Sequence, residues 1–72
     1  MIMRHSKEQI QKGINDFYES VANTLHTLDI LSIDTFNNMV CISRQSYKDI
    51  GATDSDFQEA FNKVNEKYKI SG

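Results

Sequence analysis

One cysteine, Cys41, and no proline or tryptophan occur in the 72 residues of this chain. A single thiol cannot close an internal disulfide, and in a reducing compartment an intermolecular one is not expected. No apolar run approaches the roughly 18 residues that a membrane-spanning helix needs. The opening residues, Met1-Ile2-Met3-Arg4-His5, turn polar at once and lack the apolar centre of a secretion signal. With the lone thiol, they read as a cytoplasmic protein with no membrane association. From Gly13 to Ser43 there is no lysine or arginine. Phosphate affinity comes largely from those two residue types, so that gap disfavours a surface that tracks nucleic acid.

Chemistry-bearing constellations are equally scarce. His5, His26 and Cys41 are far apart and match no zinc spacing. The run Asp54-Ser55-Asp56-Phe57-Gln58 begins like a calcium-binding loop. Glu59 holds the position that needs glycine, and Asn65 holds that of the closing glutamate, so it reads instead as a helix start with acids in its first turn. There is no glycine-rich loop and no nucleophile elbow. No metal, cofactor or catalytic activity is expected.

What is present is a helix pattern. Apolar content of 39% with 25% charged residues suits a folded domain, and the length allows only one. Three times a small hydroxyl residue stands four places ahead of a large apolar one: Ser6 before Ile10, Ser32 before Phe36, and Thr53 before Phe57. An N-cap hydroxyl accepts from the free N–H groups of the first turn, and the apolar residue then faces the core. Gln9 completes a capping-box pattern with Ser6. In helix 1 the face is Ile10, Ile14, Phe17, Val21, Leu25 and Leu28, widened by Tyr18 and Ala22. Gly13 interrupts it, either to admit a neighbouring helix or as tolerated drift.

Around Leu28–Ile33 the period blurs, with neither glycine nor proline to mark a break. A short connection near Asp29–Ser32 is expected, with a Leu31–Phe36 staple across the cap; a short extended piece is the alternative. Helix 2 would use Phe36, Val40, Ser43, Tyr47 and Ile50, extended by Met39 and Ile42, with Cys41 as a small core residue. Gly51 should stop it. Helix 3 would use Phe57, Phe61, Val64 and Tyr68. The expected fold is all-α, a small three-helix bundle spanning 1–72 as a single helical domain, with helices at about 6–28, 33–50 and 54–69. A core of this size supplies roughly 3–5 kcal/mol, which makes dimerisation the remaining inexpensive source of stability.

The run Ile42-Ser43-Arg44-Gln45-Ser46-Tyr47 resembles the turn and recognition-helix start of helix-turn-helix proteins. That resemblance implies a first helix at Ile33–Val40, a turn anchored by Ile42, and Arg44, Gln45, Ser46 and Lys48 facing DNA. Asn37 and Cys41 stand where that family usually has alanine and glycine.

Net charge is −2 and unevenly spread. Residues 1–12 are basic through Arg4, Lys7 and Lys12. Asp16, Glu19, Asp29 and Asp34 fall in the stretch that has no base, and the remainder balances. Acids beside surplus apolar residues suit contact with a basic partner. The principal expectation is therefore a non-enzymatic module that regulates or inhibits a larger protein, a habit shared by many phage-encoded inhibitors. Ile30, Leu31 and Ile33 would anchor it, while Asp16, Glu19, Asp29 and Asp34 steer towards a basic patch. DNA reading is the alternative function, and a homodimer using the same surplus is the third.

Overall fold

A computed structural model describes residues 6–70, in which three helices follow one another: α1 (Lys7–Thr27), α2 (Ile33–Asp49) and α3 (Asp54–Tyr68). Met1–His5, with the charge of Arg4 and the ring of His5, lie outside the described residues. The fold is the small all-α three-helix bundle the sequence implies.

Each helix opens on the expected cap, and each cap is a full capping box. Ser6 pairs with Gln9, Ser32 with Thr35 and Thr53 with Asp56. Two donors are satisfied at each start, one by the cap side chain and one by the residue three places on. Asp56 is 7% exposed because its carboxylate is spent this way, accepting from the Thr53 N–H at 2.9 Å. Its backbone carbonyl accepts from Gln11 Nε2 at 3.0 Å and so ties the start of α3 to α1.

The helix ends share a second device. After α1, Ile30 N–H bonds the Leu25 carbonyl and Asp29 N–H bonds that of His26, each at 3.0 Å. After α2, Ala52 N–H bonds Tyr47 and Gly51 N–H bonds Lys48 in the same pattern. Both are Schellman closures, which need a positive φ at the residue past the cap. Gly51 provides φ 111° as expected, whereas Asp29 provides φ 60° without being glycine. Lys69 closes α3 at φ 55°. Leu28–Ser32 is a turn and a short irregular link, with no extended strand.

The arrangement is a central α1 flanked by the other two. No Cα of α2 comes within 8 Å of one in α3, while both pack on α1. Aromatic rings fill the gap. Tyr18 meets Phe36 edge-on at 5.3 Å and stacks on Phe57 at 6.5 Å, and Phe36 reaches Phe61 at 5.9 Å. This position explains one revision of the α1 face. A helix covered on two sides buries the arc between its neighbours, so Tyr18 is 1% exposed while Phe17 is only half-buried, against Tyr47.

Further revisions follow from the same geometry. Leu28, expected inward, is 61% exposed because the chain reverses at that cap. On α2 the buried line is Phe36 and Val40, with Ser43 and Tyr47 half-buried. Met39, Ile42 and Ile50 lie about 60–140° round the helix from it, at 3.6 residues per turn, and stay exposed. Cys41 is likewise exposed, its thiol donating to the Asn38 carbonyl at 3.3 Å, and is no core residue. In their place Ala52, Ala60 and Ile70 complete the interior. Gly13 admits the Tyr47 ring, yet a Cβ there would sit 3.8 Å from Tyr47 Cε1, an ordinary contact, so the packing does not require glycine.

Candidate functional site

The expected anchor around Leu28–Ile33 is divided by the fold. Ile30 is 50% exposed, and its carbonyl accepts from Thr35 Oγ1 at 2.8 Å, which pins it beside the first turn of α2. Leu31 and Ile33 instead turn towards the core as half-buried side chains. Leu31 thus occupies the staple position ahead of Phe36 rather than serving as an outward anchor.

The acids divide as well. Asp16 is bound by Lys12 at 2.7 Å, and Glu19 is paired with Lys67. The hydrogen bond to Asp16 raises the Lys12 pKa, and that to Glu19 raises the Lys67 pKa. These two acids are therefore partly neutralised at home. Asp29 and Asp34 are exposed, with no basic side chain in salt-bridge contact among the described residues. Asp34 also lies in the first turn of α2, where the helix dipole favours it.

Met39, Ile42 and Ile50, which the periodicity assigns to the core, are exposed instead. Thr35, Met39, Ile42, Ser46 and Ile50 follow one another at helical spacings of four and three, forming a stripe along the outer flank of α2. Met39 is 48% exposed, Ile42 81% and Ile50 46%. From Met39 to Ile50 the stripe runs about 16 Å at 1.5 Å per residue. The signal that distinguishes these residues is their angle from the Phe36–Val40–Tyr47 line, which apolar character alone conceals.

The DNA-reading set meets a direct obstacle. Helix α2 is unbroken from Ile33 to Asp49, so the turn that a helix-turn-helix needs near Ile42 is absent. Arg44 is turned inward, its guanidinium 5.4 Å from the Phe57 ring centre. Gln45 donates to Asp49 at 2.9 Å, and Lys48 pairs with Asp54 at 3.3 Å. Ser46 alone of the four is exposed without a side-chain contact of this kind.

On the other flank of α2 a groove opens towards α3, with a volume of about 490 Å³. Tyr18, Ile33, Phe57 and Phe61 supply its apolar surface, and Arg44, Asn37 and Gln58 its polar edge. No helix among the described residues is long and apolar enough to cross a membrane. Compared with protein-family models, with curated proteins and with solved structures, the chain matches none.

Proposed function

We propose that this chain is a non-enzymatic interaction module that regulates or inhibits a larger protein by covering part of its surface, and that it docks through the outer flank of α2. The observation that carries this reading is the line of exposed Met39, Ile42 and Ile50 along one flank of α2, with Ile30 exposed just ahead of the helix, each about half exposed or more. Large apolar side chains gathered on one helix flank are a recognised mark of contact sites. Burying four such half-covered side chains is worth roughly 3–6 kcal/mol before the costs of association.

Charge defines the partner. Asp29 and Asp34 are exposed at the start of α2 and Asp49 at its end, and among the described residues no salt bridge holds any of the three. The complementary occupant is a basic amphipathic helix presented by the partner, with its apolar face along α2 and its lysines or arginines beside the aspartates. Asp16 and Glu19 contribute less to steering than their formal charge implies, because each already holds a lysine. An exposed lone thiol, Cys41, suits the reducing cytoplasm, and the reading places the protein there.

The test is a two-dimensional NMR titration of labelled protein with an amphipathic helical peptide of lysine and leucine. Amide shifts at Ile30, Met39, Ile42 and Ile50 are expected, with affinity lost in Ile42→Asp and association slowed in Asp29→Lys/Asp34→Lys. Binding that survives Ile42→Asp, or no binding at low salt, removes the proposal. Concentration-dependent sedimentation that Ile42→Asp abolishes would assign the stripe to a second copy of this chain instead.

A further inference from the structure

The groove between α2 and α3 contains polar groups that the fold leaves unused. Tyr18 is 1% exposed, lines the groove, and its hydroxyl has no hydrogen-bond partner. Arg44 lines the same groove, and its buried Nε–H is also without a partner. No carboxylate of the described residues forms an ion pair with Arg44. A buried donor left unmatched is costly, so both groups favour any occupant that supplies an acceptor. Phe57 holds the guanidinium from one side, which leaves its N–H edge as the hydrogen-bonding surface.

We infer that this groove is a binding site for a small amphipathic monocarboxylate, whose charge is taken by Arg44 and whose apolar body lies against Ile33, Phe57 and Phe61. Four features select that chemistry. The guanidinium edge matches a carboxylate in bidentate geometry, and Tyr18, a residue of the same lining, carries a second buried donor without a partner. Asn37 and Gln58 at the edge offer amide groups to a ligand's polar end. The volume, about 490 Å³, lies in the range of small-molecule sites. Asp54 also lines the groove, 90% exposed and paired with Lys48. One arginine opposed by that carboxylate suits a single negative charge better than a dianion. The site is separate from the α2 stripe, lies on the opposite flank of that helix, and does not depend on the docking proposal.

The experiment is an NMR titration of the whole chain with three probes: 4-phenylbutyrate, the neutral 4-phenylbutan-1-ol, and phenyl phosphate. For phenylbutyrate we expect shifts at Ile33, Asn37, Gln58 and Phe61 amides and at the Arg44 Nε–H resonance. Arg44→Gln should weaken phenylbutyrate by about tenfold or more, the usual scale of a lost charge-assisted hydrogen bond, while leaving the alcohol unchanged. Tyr18→Phe keeps the ring and folds; it should lower the ratio of carboxylate to alcohol affinity severalfold without lowering Tm. A merely structural hydroxyl would move Tm and leave that ratio alone. Equal binding of acid and alcohol, shifts confined to other surfaces, retention of acid binding by Arg44→Gln, or tighter binding of phenyl phosphate would each overturn the assignment.

Discussion

Val40 and Ile42 are two residues apart on α2, both β-branched and both apolar, yet the fold gives them opposite roles. Val40 is 0% exposed and Ile42 is 81% exposed. Replacing Val40 with alanine removes two buried methyl groups. At about 0.8 kcal/mol each, plus a term for the space left behind, the cost is about 2–3 kcal/mol. Against a core that supplies roughly 3–5 kcal/mol, that leaves little margin. For a domain of this size, Tm should fall by about 10–20 °C. Ile42→Ala gives up little burial and gains helix propensity, up to about 0.7 kcal/mol on the intrinsic scale, so its net effect should stay within about 0.5 kcal/mol. Thermal melts followed by circular dichroism at 222 nm measure both variants, at low and high protein concentration. If Ile42→Ala lowered Tm as far as Val40→Ala at every concentration, the placement of α2 would be wrong. A loss seen only at high concentration would indicate that a second chain covers the stripe.

The glycines should respond in opposite directions. Gly13→Ala meets Tyr47 at an ordinary distance and should stabilise the protein by about 1 kcal/mol, whereas Gly51→Ala should cost about 1–2 kcal/mol because of the φ of 111°, although Ile10 leaves room for the Cβ. Urea midpoints at constant slope decide both. Lys69 holds a left-handed conformation that favours glycine, so Lys69→Gly should raise Tm by a few degrees, and an unchanged or lower Tm would refute a closure at φ 55°. Burial, then the neighbouring Tyr18 and Asp16, raise the Tyr47 pKa above its ordinary value of 10.0. The folded state therefore disfavours the phenolate: this contribution is intact below pH 10 and is lost as pH climbs through the raised value. Melts between pH 8 and 11 should show a smaller alkaline loss in Tyr47→Phe, and parallel curves for the two proteins would dismiss Tyr47 as a source.

Much of the local structure was legible from neighbours within four residues. Ser6, Ser32 and Thr53 declare the helix starts because a cap acts on donors two or three residues away. Gly51 declares a stop for a similarly short-range reason. Asp29 and Lys69 were not legible as closures, since each is a common surface residue whose positive φ depends on the hydrogen bonds around it. Cys41 illustrates the other limit. Its apolar neighbours in sequence suggested the interior, but on a helix those neighbours point in different directions, and residue 41 faces outward.

The candidate surfaces were only partly readable for the same reason. Asp29, Asp34 and Ile30 could be picked out as exposed residues, whereas Asp16 and Glu19 looked free until Lys12 and Lys67 proved to hold them. Lys67 is 48 residues from Glu19, a distance across which sequence pattern carries no pairing information. Met39, Ile42 and Ile50 were indistinguishable from core residues by type. Arg44 offered a polar side chain suited to a base edge, and only the approach of Phe57 turned it into the wall of a groove.

The amino-acid order by itself determined that there are three helices, where they begin, and that the middle stretch is acidic, because capping, periodicity and charge are properties of residues close together along the chain. Tertiary structure decided which arc of each helix is covered. With α1 between α2 and α3, the Tyr18 ring became the centre, the α2 flank bearing Ile42 was left open, and an unmatched arginine and tyrosine came to line one groove. Burial depends on what lies opposite a side chain, and what lies opposite is set by segments distant in sequence.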